Sequence, residues 1–387
     1  MSIIEHIILF LLLFGVYAFW GKYLINKSGL KFWQAAIFPI LLYVFITGSR
    51  YGWGNDYLWY RAQFENIELI DEQVAFKWLV QFLNFLGFNY VGAFMLYSFI
   101  FIVCAFILLR SYGEQSLFMY CFLIPATMYT TCHTIRQGLG MSFILLALVF
   151  FYQRKWLYMA LVVVIAYYLH SATIITLASM LGIFYIFKKP IPFLITIPLY
   201  LYFTFAFDVG KMAFLADFLS EHISLDNKFQ SYIDRSEVWF GTDAVREGFE
   251  QGAFAQIMSS LYTISLFYLG YKTLQIRENK LILYMYNTVV LGTIMARAVY
   301  LFEILRRFTS PMVMFYFIPL GYIFYIYSQE CKKPENIRVK KYFNVGIIFI
   351  LSFLLMYWGR WIFLNENGDF FWNNLDADFN INLFIHD

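Results

Sequence analysis

Long apolar runs separated by short polar loops dominate this chain, and the length of the runs decides what the elements are. A helix needs about 20 mostly apolar residues to cross the hydrocarbon slab, and helices satisfy their own backbone hydrogen bonds there. Twelve such runs fall near 3–21, 32–48, 91–109, 116–132, 138–152, 156–170, 172–187, 190–207, 253–274, 281–301, 311–328 and 343–364, several of them short. The pattern predicts an all-α polytopic membrane protein of about 12 transmembrane helices, a single integral membrane domain over 1–387. The pair around His170 reads either as two half-helices or as a bent hairpin. Residues 74–88 (VAFKWLVQFLNFLGF) carry Lys77, Gln81 and Asn84 among aromatics, which predicts an interfacial amphipathic helix. The first run is apolar apart from Glu5 and His6, with its basic residues after it, so it reads as a retained span.

The polar positions between the runs orient them. Lys22, Lys27 and Lys31; Arg110; Arg154 and Lys155; Lys188 and Lys189; Lys272, Arg277 and Lys280; and Lys332, Lys333, Arg338, Lys340 and Lys341 occupy alternate loops. Loops rich in Lys and Arg stay in the cytoplasm. That places both termini outside, together with residues 49–90, 208–252 and the tail 365–387. The loop 208–252 has nine Asp/Glu against four Lys/Arg, and the tail has five acids and no Lys or Arg.

Composition agrees: 61% hydrophobic and 14% charged residues leave too much apolar surface for a soluble fold. A net charge of +3, with no dense basic run, argues against a nucleic-acid partner. Cys104, Cys121, Cys132 and Cys331 lie far apart, without disulfide or metal spacing, and read as packing residues.

Five arginines break the charge rule: Arg50, Arg136, Arg297, Arg306 and Arg307 each fall at or near the outer half of a span. A guanidinium there costs several kcal/mol unless it is partnered. Each could pair with a carboxylate and merely lock helices together, Asp56 serving Arg50 and Glu303 serving Arg306 or Arg307. The nearby segments hold too few acids for all five, so a shared anionic ligand accounts for them better. Guanidinium grips phosphate in a bidentate fork and keeps its charge when desolvated.

Three stretches carry the candidate chemistry. Arg50 to Tyr60 (RYGWGNDYLWY) combines two glycines with the aromatics, hydroxyls and carboxylate that a sugar site uses, although an interfacial aromatic belt would also explain its rings. His133 to Gly138 (HTIRQG) opens a span with a cation at a helix N-terminus, an arrangement that is unfavourable unless an anion sits there. His170 ends an uncharged run and reads as a packing residue, a general base or a phosphate ligand.

Taken together these stretches resemble the EpsG family, a branch of the Wzy-like bacterial polysaccharide polymerases. Arg50, Gly54-Asn55-Asp56 and Tyr60 match an early Arg and Gly-x-Asp-x-x-x-Tyr element. Ile135-Arg136-Gln137 matches an Ile-Arg-Gln element at a middle span, His170-Ser171-Ala172 a His followed by small residues, and Arg306-Arg307-Phe308 a late Arg-rich turn. The chain departs from the pattern at Gly138-Leu139-Gly140, where Ile-Ala is more usual, and at Thr309-Ser310-Pro311.

The resemblance implies a C-type glycosyltransferase, free of metal and cofactor, at the periplasmic face of the bacterial inner membrane. It would pass a growing glycan from undecaprenyl diphosphate to a lipid-linked repeat unit. Arg50, Arg136, Gln137, Arg306 and Arg307 are then expected on the diphosphate. Asp56, His170 and Arg136 form the catalytic set, and Tyr57, Trp59 and Tyr60 contact sugar. Loop 208–252, with Tyr232 and Trp239, would act as a lid. Membrane lipid and a chain-length regulator protein are the implied partners. The rival classes are a flippase for the same lipid-linked oligosaccharide, an O-antigen ligase and a membrane acyltransferase. A flippase would line the whole bilayer depth with polar residues, whereas here they gather in the outer half.

Overall fold

A computed structural model describes residues 3–52, 54, 56–70, 74–207, 252–300, 303–330, 337–364 and 369–370. The expected lid over 208–251, most of the acidic tail, Trp53, Asn55 and Cys331 lie outside the described residues. All twelve expected segments coincide with helices. Six stretches are long and apolar enough to cross a membrane: Gly29–Gly48, Tyr90–Arg110, Ile135–Tyr152, Ala253–Ile276, Lys280–Ala298 and Arg306–Glu330. The apolar helices Trp156–Leu169, Ala172–Ile186 and Phe193–Ala206 are shorter. At 1.5 Å per residue, a 14-residue helix such as Trp156–Leu169 covers only about 21 Å of a roughly 30 Å slab.

The chain divides into two compact units, the first made of Met1–Leu181, Tyr316–Ile337 and Leu354–Asp387, the second of Gly182–Phe315 and Arg338–Phe353. The first unit begins with α1 (Ile3–Leu24), α2 (Gly29–Gly48), the short α3 (Tyr57–Glu65), α4 (Val74–Phe85) and α5 (Tyr90–Arg110). It continues with α6 (Met119–His133), α7 (Ile135–Tyr152), α8 (Trp156–Leu169) and the start of α9 (Ala172–Ile186). Helix α5 packs between α2 and α7, and α7 against α8. The break between α8 and α9 falls at His170-Ser171, where His170 turns to φ −159°, ψ 100°.

One aromatic cluster organises an end of this unit. Tyr57, Tyr60 and Phe64 of α3, Phe76, Val80 and Leu83 of α4, and Tyr90 and Phe94 of α5 are buried together with Ile135 and Leu139 of α7 and Leu169 of α8. α2 finishes, α5 and α7 begin and α8 finishes at that end, so α3 and α4 form its cover. Spacing makes α4 fit there: Phe76, Val80 and Leu83 recur at helical period on one face. Val74, Trp78, Phe82 and Phe85 form an exposed stripe opposite it. Asn84, in the polar strip, donates to the Phe64 carbonyl at 3.1 Å. Residues 74–85 are thus a helix with two apolar faces.

The second unit contains α10 (Phe193–Leu201), α11 (Ala253–Ile276), α12 (Lys280–Ala298) and α13 (Glu303–Met314). α14 (Phe317–Glu330) belongs to the first unit, and the two units divide α15 (Ile337–Leu364). In the second unit the fully buried Asn287 pins the turn before α10, accepting from the Ile191 N–H at 3.0 Å and donating to the Lys189 carbonyl at 3.0 Å. Replacing Asn287 with Ala leaves two backbone groups unsatisfied in a dry interior. The expected loss is about 2 kcal/mol of stability, measured as a lower thermal midpoint of the detergent-purified protein.

Candidate functional site

The segment after α2 lies on the C-terminal end of α6 through a glycine. Gly54 adopts φ +103°, and a Cβ there would come within 2.0 Å of the Cys132 carbonyl oxygen. No other residue fits so close to backbone at that angle. The Gly54 carbonyl accepts the Tyr57 N–H at 3.1 Å and α3 starts there, with Asp56 at its N-cap position but making no side-chain cap hydrogen bond. Arg50-Tyr51 form a two-residue antiparallel ladder with Asp369-Phe370.

Arg136 is the second residue of α7. The preceding Thr134 does not cap the helix, since its hydroxyl donates back to the Thr130 carbonyl at 3.2 Å. The Tyr60 oxygen does so in its place, accepting the Arg136 N–H at 3.4 Å and the Arg136 Nε–H at 3.3 Å. The guanidinium carbon lies 5.5 Å from the Tyr60 ring centroid and 5.8 Å from that of Phe76. Rings at that range attract a cation, but they do not neutralise it. Among the described residues no carboxylate is in ion-pair contact with Arg136, and the side chain is only half-buried.

Its neighbour Arg61 shows the alternative. Arg61 Nε bonds Glu65 Oε1 at 2.8 Å, one helical turn away, and its guanidinium lies 4.7 Å from the Tyr90 ring. Two arginines at one end of the unit therefore have different solutions. One is paired within its helix, and the other is held by a phenol oxygen and two rings.

The other expected residues of the first unit gather around Arg136. Asp56 lies close enough to the Tyr60 hydroxyl to raise its pKa, although burial is the larger cause and Arg136 acts against both. Tyr60 thus keeps its proton, and the lone pairs that hold Arg136 leave the O–H free to donate. Gly140 is one turn past Arg136 on the same face of α7, about 6 Å along the axis. A Cβ there would lie 3.1 Å from the His170 Cβ and 2.8 Å from Thr173 Cγ2. The glycine that departs from the usual Ile-Ala pair is what admits the His170 elbow against α7. That elbow is held by the His170 carbonyl, which accepts the Thr173 hydroxyl at 2.7 Å. Gln137 is buried beside Arg136.

Burial changes what the remaining residues can do. Arg50 is 1% exposed, bonded to the Thr47 carbonyl, and lies 5.1 Å from the Phe94 ring and 5.8 Å from the Tyr57 ring. Cys132 and His133 are within its electrostatic reach. A ligand cannot reach a group so enclosed without opening the loop, so the position favours Arg50 as an internal brace. Tyr57 is fully buried among Tyr51, Tyr90 and Phe94, and burial pushes its hydroxyl up to about 12. Its ring faces are occupied by packing, as are those of Tyr60, whereas Trp59 is half-exposed.

The late arginines belong to the second unit. Arg306 and Arg307 lie half-buried in the first turns of α13, and the Arg306 carbonyl accepts the Thr309 hydroxyl at 3.3 Å. Arg297, at the end of α12, donates to Ser259 Oγ at 3.2 Å and lies 5.9 Å from the Tyr200 ring. Phe76 was not among the residues expected at the site. Its place on the buried face of α4 was readable from spacing, but its meeting with Arg136 was not.

The long apolar helices define a membrane-embedded protein. The model of the EpsG family matches residues 33–373, most of the chain, and the chain belongs to that family of Wzy-like polysaccharide polymerases. No curated protein and no solved structure matches it.

Tyr60→Phe removes the oxygen that orients Arg136 while keeping the ring. Hydrogen bonds to charged groups contribute about 1.5–3 kcal/mol, so polymer output is expected to fall roughly tenfold or more while the thermal midpoint barely moves. An unchanged glycan ladder from the Tyr60→Phe strain would contradict the orienting role.

Proposed function

We propose that this protein polymerises a polysaccharide by moving a growing glycan from a polyprenyl diphosphate, undecaprenyl diphosphate in bacteria, onto a lipid-linked repeat unit. The reaction takes place at the periplasmic face of the inner membrane. The sugar hydroxyl of the acceptor attacks the anomeric carbon of the donor. The bond to the phosphate oxygen breaks and the diphosphate departs, carrying the electron pair. Family membership supports polymer synthesis in general. The observation that supports this mechanism is Arg136, a half-buried guanidinium at a helix N-terminus with no carboxylate in contact among the described residues.

Negative charge grows on the departing diphosphate, and donors already in place stabilise it without having to reorganise. Arg136 supplies those donors at the start of α7, with Gln137 and the Tyr60 O–H beside it. Arg306 and Arg307, in the second unit, are proposed to bind phosphate as well. Arg50 braces the loop, and Trp59 takes the sugar face, with Tyr57 and Tyr60 shaping the wall behind it. Asp56 and His170 flank Arg136 from α3 and from the α8–α9 elbow, and one of them accepts the hydroxyl proton. In this reading both termini face outward and loop 208–252 lies on the periplasmic side.

Arg136→Ala and Arg136→Lys strains should make normal amounts of protein and no long-chain polymer, leaving single repeats, because ammonium lacks the bidentate fork. Long-chain polymer from Arg136→Ala cells would sink the assignment. Purified protein given the lipid-linked repeat should lengthen glycans, where a flippase only moves them and a ligase needs a different acceptor. The orientation has its own check. A protease site placed in loop 208–252 should be cut in intact spheroplasts, and protection there would reverse the topology.

A further inference from the structure

The opposite end of the first unit carries a second concentration of charge, of another kind. Lys22 lies in the last turn of α1, Lys27 in the following loop, Lys31 in the first turn of α2, and Arg110 ends α5. α1, α2 and α5 pack against one another, and these positions share one end. Among the described residues none of the four is in ion-pair contact with a carboxylate, and Glu114, just beyond α5, is exposed. Ser28, before α2, makes no side-chain cap, so the first N–H groups of α2 also face this cluster unsatisfied.

A groove of about 410 Å³ runs from this cluster along the seam of α2 and α5, lined by Leu30, Trp33, Ile37, Leu41, Phe99 and Val103. From Leu30 to Leu41 it extends about 16 Å, roughly the depth of one leaflet. Arg110 follows Phe99 by eleven residues and Val103 by seven, which puts it on the same helical stripe at the mouth of the groove. Its guanidinium lies 5.3 Å from the Phe32 ring.

We propose that this end is a binding site for an anionic phospholipid of the surrounding membrane. The phosphate headgroup sits among Lys27, Lys31, Arg110 and the start of α2, and one acyl chain lies in the α2–α5 groove. A zwitterionic lipid fills the groove equally well but leaves the cations uncompensated. A free phosphate compensates the cations but leaves the groove empty. Only a charged lipid meets both halves. Basic residues near a bilayer surface each favour anionic lipid by about 1 kcal/mol, so the preference is large enough to measure. The site is remote from the polymerase reading and does not depend on it.

The test is native mass spectrometry of the full-length chain in neutral detergent, titrated with phosphatidylglycerol and phosphatidylcholine of matched chains. One phosphatidylglycerol should be retained under conditions that strip phosphatidylcholine. Combined Lys27→Gln, Lys31→Gln and Arg110→Gln substitutions should cut that preference by about tenfold or more, and Ile37→Trp, which fills the groove, should weaken both lipids. Added salt should erode the wild-type preference, a readout that needs no variant. Equal retention of the two lipids by the wild type overturns the proposal. So does an unchanged preference in the triple variant or in high salt, or full displacement of the lipid by inorganic phosphate.

Discussion

A guanidinium next to hydrocarbon has to be solvated by something other than bulk water, and the end of the first unit is built around that requirement at Arg136. Ring faces from Tyr60 and Phe76 attend the cation, and one phenolic oxygen holds both its Nε–H and its backbone N–H. Those partners are neutral. They hold the group in place without cancelling its charge, and the helix N-terminus beneath it adds positive potential. The residues nearby hold that charge at the start of α7.

Two glycines make that geometry possible from opposite sides. Gly54 lets the loop after α2 lie directly on the backbone that ends α6, which sets α3 and its Tyr60 over the start of α7. Gly140 lets the elbow between α8 and α9 press on α7 one turn further along, which brings His170 to the same helix face as Arg136. Asp56 thus lies near Tyr60, and the His170 elbow packs on α7 one turn past Arg136.

The choice of cation differs between the ends of the first unit. Around the start of α7 the cation with planar partners is a half-buried arginine, although Lys77 lies beside Phe76 on α4. Lysine dominates the end formed by Lys22, Lys27 and Lys31, where the side chains are largely exposed. Exposed ammonium groups suit diffuse attraction to a charged surface, and a desolvated fork suits a fixed diphosphate.

Much of this was legible in the residues themselves. Run length and apolarity located the long apolar helices, because a membrane span is a one-dimensional property of the chain, but not the short α3. The glycines and the cation at the start of α7 were visible too, since a charge in the wrong place stands out without coordinates. The sequence did not tell which rings would meet which cation. Arg50 and Arg136 look alike in the chain, yet one is enclosed between Tyr57 and Phe94 and the other is left half-open. Phe76 gave no sign of its role, because α4 reaches Arg136 only through the fold. Helical period and hydropathy are local quantities, and so the sequence alone determined the membrane class, the helices and the list of unusual charges. Accessibility is set by partners far along the chain, and so only the tertiary structure decided which of those charges is enclosed and which is half-exposed.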